Sequence, residues 1–245
     1  MHKYWVCFAF FLAVVVAQDA RSVVEKSNDL LRANSSYSEV SLTIIKPEWQ
    51  RQMAMKTWAL EPDYSLIYIT EPAKSKGMVT LRRDKEVWNW LPAAQRVVKI
   101  PPSMMLQSWM GSDFTNDDLV KQSSIIDDYK HQNIGSESID GYDCHIIELV
   151  PNEDAAVVWG KIKMWISKKE YFQLKIEFYD EDDILVKTML GSKIVKMDDR
   201  TIPAYWEMIP HDKPGHKTIF EYHTIDFDKP IKAGFFSQQN MKRIR

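Results

Sequence analysis

Phe172–Phe178 reads FQLKIEF, in which Phe172, Leu174, Ile176 and Phe178 alternate with Gln173, Lys175 and Glu177. Successive side chains of an extended backbone point to opposite sides, so a two-residue period predicts a strand. A helix would repeat its apolar residues every three to four positions, and this run does not. The same texture continues outward from it. Upstream, Lys161–Ser167 sets Ile162, Met164 and Ile166 on one face, and Tyr142–Val150 alternates through Cys144 and Ile146. Downstream, an acidic turn at Tyr179–Asp183 leads into Ile184–Leu190. Ile202–Ile209 and Thr218–Phe227 follow, joined through His211–Gly215. Turn residues at hairpin spacing predict antiparallel neighbours.

The first half has the same pattern. Val40–Ile45, Gln50–Trp58 and Tyr64–Tyr68 read as strands, followed by turns at Glu71-Pro72 and Gly77. Met78–Leu81 and Glu86–Leu91 read as a hairpin about Arg83-Asp84-Lys85, and Arg96–Ile100 and Ile125–Lys130 as further strands. Helical spacing is seen at Arg21–Ala33, through Val23, Val24, Lys26, Leu30 and Leu31, and it stops at Asn34-Ser35-Ser36. So many short strands must curl or close to hide their edges. The expected class is mainly β with a few helices.

Pro101–Leu119, PPSMMLQSWMGSDFTNDDL, fits neither period. It bunches Met104, Met105, Leu106, Trp109 and Met110, then passes through Gly111 to the cap-forming residues Ser112, Asp113, Thr115, Asn116, Asp117 and Asp118. Two readings stand. Thioether side chains adapt to partners of ill-defined shape, which suits an acyl chain or an apolar helix. Alternatively, a short helix plugs the end of a β core and its methionines fill gaps.

At the start of the chain, Lys3 precedes an apolar run, Tyr4–Val16, that is shorter than the roughly 20 residues a bilayer span needs. Small residues give a cleavage site ending at Ala17, with a later one at Ala20. Residues 1–17 are expected to be a signal peptide and residues 18–245 a single exported domain. Cys7 leaves with the signal, so Cys144 is the remaining thiol and no internal disulfide is expected. That suits a bacterial periplasm. Cys144 reads as a small buried hydrophobe. With 32 basic and 34 acidic residues, mixed in order, the chain offers no basic groove for nucleic acid.

Motifs for nucleophilic, phosphate-binding or zinc chemistry are missing from the sequence. His211, His216 and His223 lie around one turn, but turn histidines are mostly solvated, and no metal or cofactor is expected. Asp113, Asp117 and Asp118 lack the glycine that a calcium loop requires and read as helix-capping carboxylates. A hydrolase using Asp113 or Asp117 is the weakest of the functional readings, and no catalytic residue is assigned. Trp88, Trp90, Trp159, Trp165 and Trp206 are spread along the chain and read as core or cavity lining.

Five motifs bear a resemblance to a known family: Trp90-Leu91-Pro92, SWMGSDFTNDDL at Ser108–Leu119, PNEDAAVVWGKI at Pro151–Ile162, YDEDDILVKT at Tyr179–Thr188 and PGHKTIFEY at Pro214–Tyr222. In this order they resemble the LolA-like periplasmic outer-membrane lipoprotein-sorting proteins, in a branch distinct from LolA itself. The resemblance implies a strongly curved, unclosed antiparallel β-barrel covered by helices, with an apolar cavity for acyl chains. It implies a carrier of lipid or lipoprotein acyl chains between an inner-membrane transporter, of ABC or efflux type, and an outer-membrane acceptor. On that basis Met104, Met105, Leu106, Trp109 and Met110 are expected in a mobile cover or rim. Met53, Met55, Trp58, Tyr64, Leu66 and Tyr68 are candidates for the concave wall, with the inward strand parity left open. An arginine holding the lid shut belongs to the family picture. No motif matches Arg51 to that role, and it reads as a surface charge. The alternative is a non-catalytic envelope sensor or scaffold that binds lipidated or unfolded partners.

Overall fold

The computed structural model describes residues 19–118, 125–155 and 157–245. The expected signal peptide and Leu119 lie outside the described residues. Helix α1 (Ala20–Leu31) leads into a single 13-stranded antiparallel sheet that is not closed into a barrel. The strands are β1 (Ser35–Lys46), β2 (Trp49–Leu60), β3 (Tyr64–Glu71), β4 (Val79–Arg83), β5 (Glu86–Leu91), β6 (Arg96–Lys99), β7 (Tyr129–Ile139), β8 (Tyr142–Pro151), β9 (Lys161–Ser167), β10 (Gln173–Tyr179), β11 (Leu185–Met197), β12 (Arg200–Pro210) and β13 (Lys217–Phe227). A one-turn helix α2 (Gln238–Met241) lies near the C-terminus.

Strand order is β6-β5-β4-β3-β2-β1-β13-β12-β11-β10-β9-β8-β7. Two meanders are therefore joined at the centre by β1 pairing with β13, Leu42 opposite Phe220. The sheet edges are β6 and β7, and residues 100–128 connect one edge to the other.

Expected and observed strands agree in the main. The exception is β7, where Ile125–Lys130 was expected. The strand begins at Tyr129 and runs through Gln132, Asn133, Ser136 and Ser138. These residues are mostly exposed, as befits an edge strand, so no apolar alternation marks them.

Both faces of the sheet are apolar. On β3, Leu66 and Tyr68 point to the convex side, where Val79, Leu81, Phe236 and Met241 join them in one buried cluster. The C-terminal segment thus covers β3–β5 from outside. On the concave side, Val40, Leu42, Ile44, Met53 and Met55 pack with Trp109. In the other meander Ile147, Leu149, Ile162, Met164 and Ile166 pack with Val23 and Val24 of α1. Gly191 on β11 makes room for this core, because a Cβ there would sit 3.0 Å from the Trp206 ring.

Candidate functional site

Residues 101–118 hold together as a loop of short turns before they touch the sheet. Pro101 and Pro102 open a 3₁₀ turn, Pro102–Met104, and Trp109–Gly111 forms another. The Asn116 side-chain amide donates to the Met104 and Gln107 carbonyls, and the Asp117 amide donates to Met105. Thr115 and Asp118 cap each other reciprocally: the Thr115 amide donates to the Asp118 carboxylate, and the Asp118 amide to the Thr115 hydroxyl. The polar residues after Gly111 close this loop on itself instead of capping a long helix.

The loop is then fastened to both meanders. Trp109 inserts among Val40, Leu42 and Met55, and its indole N–H donates to Thr80 Oγ1 at 3.2 Å. Arg51 of β2 donates to the Met110 carbonyl. Met110 and Gly111 both have left-handed backbone, φ 54° and 79°, so this hydrogen bond holds an unusual turn. On the far side the Thr218 hydroxyl donates to the Asp113 carboxylate at 2.6 Å. Lys187 of β11 pairs with Asp118 at 3.1 Å. The Lys187 side chain is only 6% exposed and sits over the Trp159 and Phe178 rings, so this pair is a buried fastening.

Beneath loop and helix lies a cavity of about 420 Å³. That is within the roughly 300–1,000 Å³ range of small-molecule sites. Its middle is apolar, with Leu42, Met55, Ile67, Phe114, Met164 and Trp206 among the lining residues. Lys187 and Asp118 stand at the wall given by β11 and the loop. Arg32 at the end of α1, Glu61 after β2 and Arg82 on β4 form a polar region with Ser36, Ser38 and Ser65. Arg32 Nη1 lies 3.7 Å from Glu61 Oε2. Burial pulls the pKa of both guanidiniums below the ordinary arginine value, and Glu61 works in the opposite direction on each.

Of the expected wall residues, Met55 and Trp58 line the cavity and Met53 packs beside it. Trp58 also turns outward, its ring 5.5 Å from Phe235. Tyr64, Leu66 and Tyr68 are corrected in place: they belong to the convex cluster. Ser65 and Ile67, one residue out of step, face the cavity instead. A strand whose two faces are both covered leaves no polar parity to mark the outer side. In the loop, Trp109 lines the cavity and Met110 packs against its cluster. Met104 and Leu106 are exposed, and Met105 does not reach the cavity, because the 3₁₀ turn faces them outward. Arg51 is corrected too, from a surface charge to a fastening of the loop.

Arg32, Arg82, Lys187 and Phe114 were missed as site residues. Thr80 and Arg82 share one parity of β4, opposite Val79 and Leu81, which was the available signal. Cys144 is fully buried, and burial pushes its thiol pKa up to about 11, which fits a small hydrophobe. Among the described residues no group of three or more His, Cys, Asp or Glu is placed to hold a metal ion.

The fold is similar to that of solved proteins. A DUF1329 family protein from Desulfovibrio piger ATCC 29098 superposes with a TM-score of 0.82 at 24% identity, covering 91% of this chain and 97% of that one. A domain from Vibrio parahaemolyticus, named for outer membrane lipoprotein sorting, gives 0.79 at 22% identity, covering 91% and 98%. The LolA superfamily protein NE2245 from Nitrosomonas europaea gives 0.76 at 21%, covering 91% and 100%. At such identities the likeness is one of fold. No curated protein sequence matched the chain. A family model described as "Uncharacterized protein" matches residues 61–243, about three quarters of the chain. The chain therefore belongs to that family of uncharacterised proteins, and its fold is LolA-like.

Proposed function

We propose that this protein is a non-catalytic carrier of lipid or lipoprotein acyl chains, working in the periplasm and moving its cargo from the inner towards the outer membrane. The observation that carries this reading is the apolar-centred cavity enclosed by the concave sheet, α1 and the loop at 101–118. Each buried methylene contributes about 0.8 kcal/mol, so a dozen would hold a cargo by roughly 10 kcal/mol. Trp109 supplies the release step: its indole fills the cavity's own wall, so cargo burial is traded for self-burial as the loop moves. An inner-membrane transporter loads the carrier, and an outer-membrane acceptor unloads it.

The test is native mass spectrometry on protein purified from periplasm without detergent, followed by organic extraction and titration with a lipopeptide. Binding at micromolar levels is expected, with a Trp109→Asp variant at least tenfold weaker while its circular dichroism is unchanged. A protein that carries no lipid and takes up none would overturn the carrier reading in favour of an envelope sensor or scaffold.

A further inference from the structure

We propose that the cavity selects an amphiphile with an anionic head, a carboxylate or phosphate that sits between Arg32 and Arg82 while its tail lies along the apolar middle. The inference rests on the acyl-carrier reading and names the chemical class of its cargo.

Arg82 carries most of the argument. It is 7% exposed, lines the cavity and stands opposite Ser65 on β3. Its Nε is buried without a hydrogen-bond partner. Arg32 lines the same region, and Glu61 is the carboxylate within ion-pair distance of it. Asp63 and Asp84 also act on Arg82, and neither lines the cavity. Along the polar part of the cavity wall the two guanidiniums stand with one lining carboxylate, Glu61, while Asp29, Asp63 and Asp84 act on them without lining the cavity.

A buried cation without a partner is costly to a fold, and a bound anion removes that cost. The guanidinium fork matches both carboxylate and phosphate oxygens in a bidentate pairing. Lys187, the cavity's other buried cation, is already neutralised by Asp118. This fixes the orientation, with the head at Arg32 and Arg82 and the tail running toward Trp206 and Phe114.

The experiment compares three ligands of equal chain length on delipidated protein, by displacement of a fluorescent acyl probe. These are palmitate, palmitoyl lysophosphatidic acid and uncharged hexadecanol. At least one anionic ligand is expected to bind tenfold or more tightly than hexadecanol. Which of the two does so separates a fatty-acid cargo from a phospholipid one. Arg82→Gln and Arg32→Gln are expected to erase the difference and leave hexadecanol binding unchanged. Equal affinity for all three ligands overturns the anionic head and leaves the carrier intact. Binding of none of them overturns both. Should either variant fail to fold, the ranking on unaltered protein still decides.

Discussion

Arg51 spans two parts of the fold that the sequence keeps 59 residues apart, joining β2 to the Met110 carbonyl. A charged donor to a carbonyl contributes about 1.5–3 kcal/mol, and here it holds a left-handed turn. Arg51→Ala is expected to lower stability by roughly that amount. More tellingly, it should speed cleavage between residues 104 and 111 in limited proteolysis while the strands stay protected. A loop cut at the unaltered rate would show that Trp109 and Asp118 suffice to hold it. Cys144 gives a second check at this scale. With its thiol pKa pushed up to about 11 by burial, the thiolate is scarce below that pH and the sulfur is out of reach. Alkylation by iodoacetamide at pH 8 is therefore expected in urea and not in buffer.

At the scale of elements, the convex cover is a separate layer with its own energetics. Phe236 is fully buried, 5.5 Å from Tyr64 and 5.3 Å from Phe235. Phe236→Ala is expected to cost about 3–5 kcal/mol in urea unfolding. Because that side of the sheet faces away from the cavity, acyl binding should be unchanged at concentrations where the variant is folded. The strands themselves were legible in the sequence, since alternation such as that of Phe172–Phe178 needs no tertiary information. Their inward parity was not. Leu66 and Tyr68 look like a wall from sequence and lie under the C-terminal segment, whose apolar residues gave no sign of which strands they would cover. β7 escaped because most of its exposed side chains are polar. Arg32 and Arg82 are 50 positions apart, and nothing local pairs them.

For the whole molecule, topology explains why the loop crosses the cavity. Residues 100–128 join β6 to β7, the two edges of one open sheet, so the connection has to pass between the edges. The loop's fastenings on β2, β4, β11 and β13 therefore draw the two meanders together. Asp118→Asn should leave the Lys187 charge buried and unpaired, at a cost of about 3–5 kcal/mol. It should also raise the rate of acyl exchange, measured by transfer of a fluorescent lipid to vesicles. Slower or unchanged exchange would show that the loop does not control release.

The pairing of β1 with β13 has a consequence for how the chain reaches this structure. Leu42 meets Phe220 from far along the polypeptide, so the central seam is the strand pairing of highest sequence separation. Each meander is assembled from neighbours in sequence and can form early, but the seam waits for the last strand. Until then β1 and β12 each present an unpaired edge, the template on which chains aggregate. Refolding from urea is expected to be slow, on the scale of seconds, and to lose yield steeply as protein concentration rises. A chain ending at Pro210 would keep ten of its hairpin pairings and lose the seam, and it should aggregate instead of unfolding cooperatively. Such a chain stays uncommitted until its final strand has arrived.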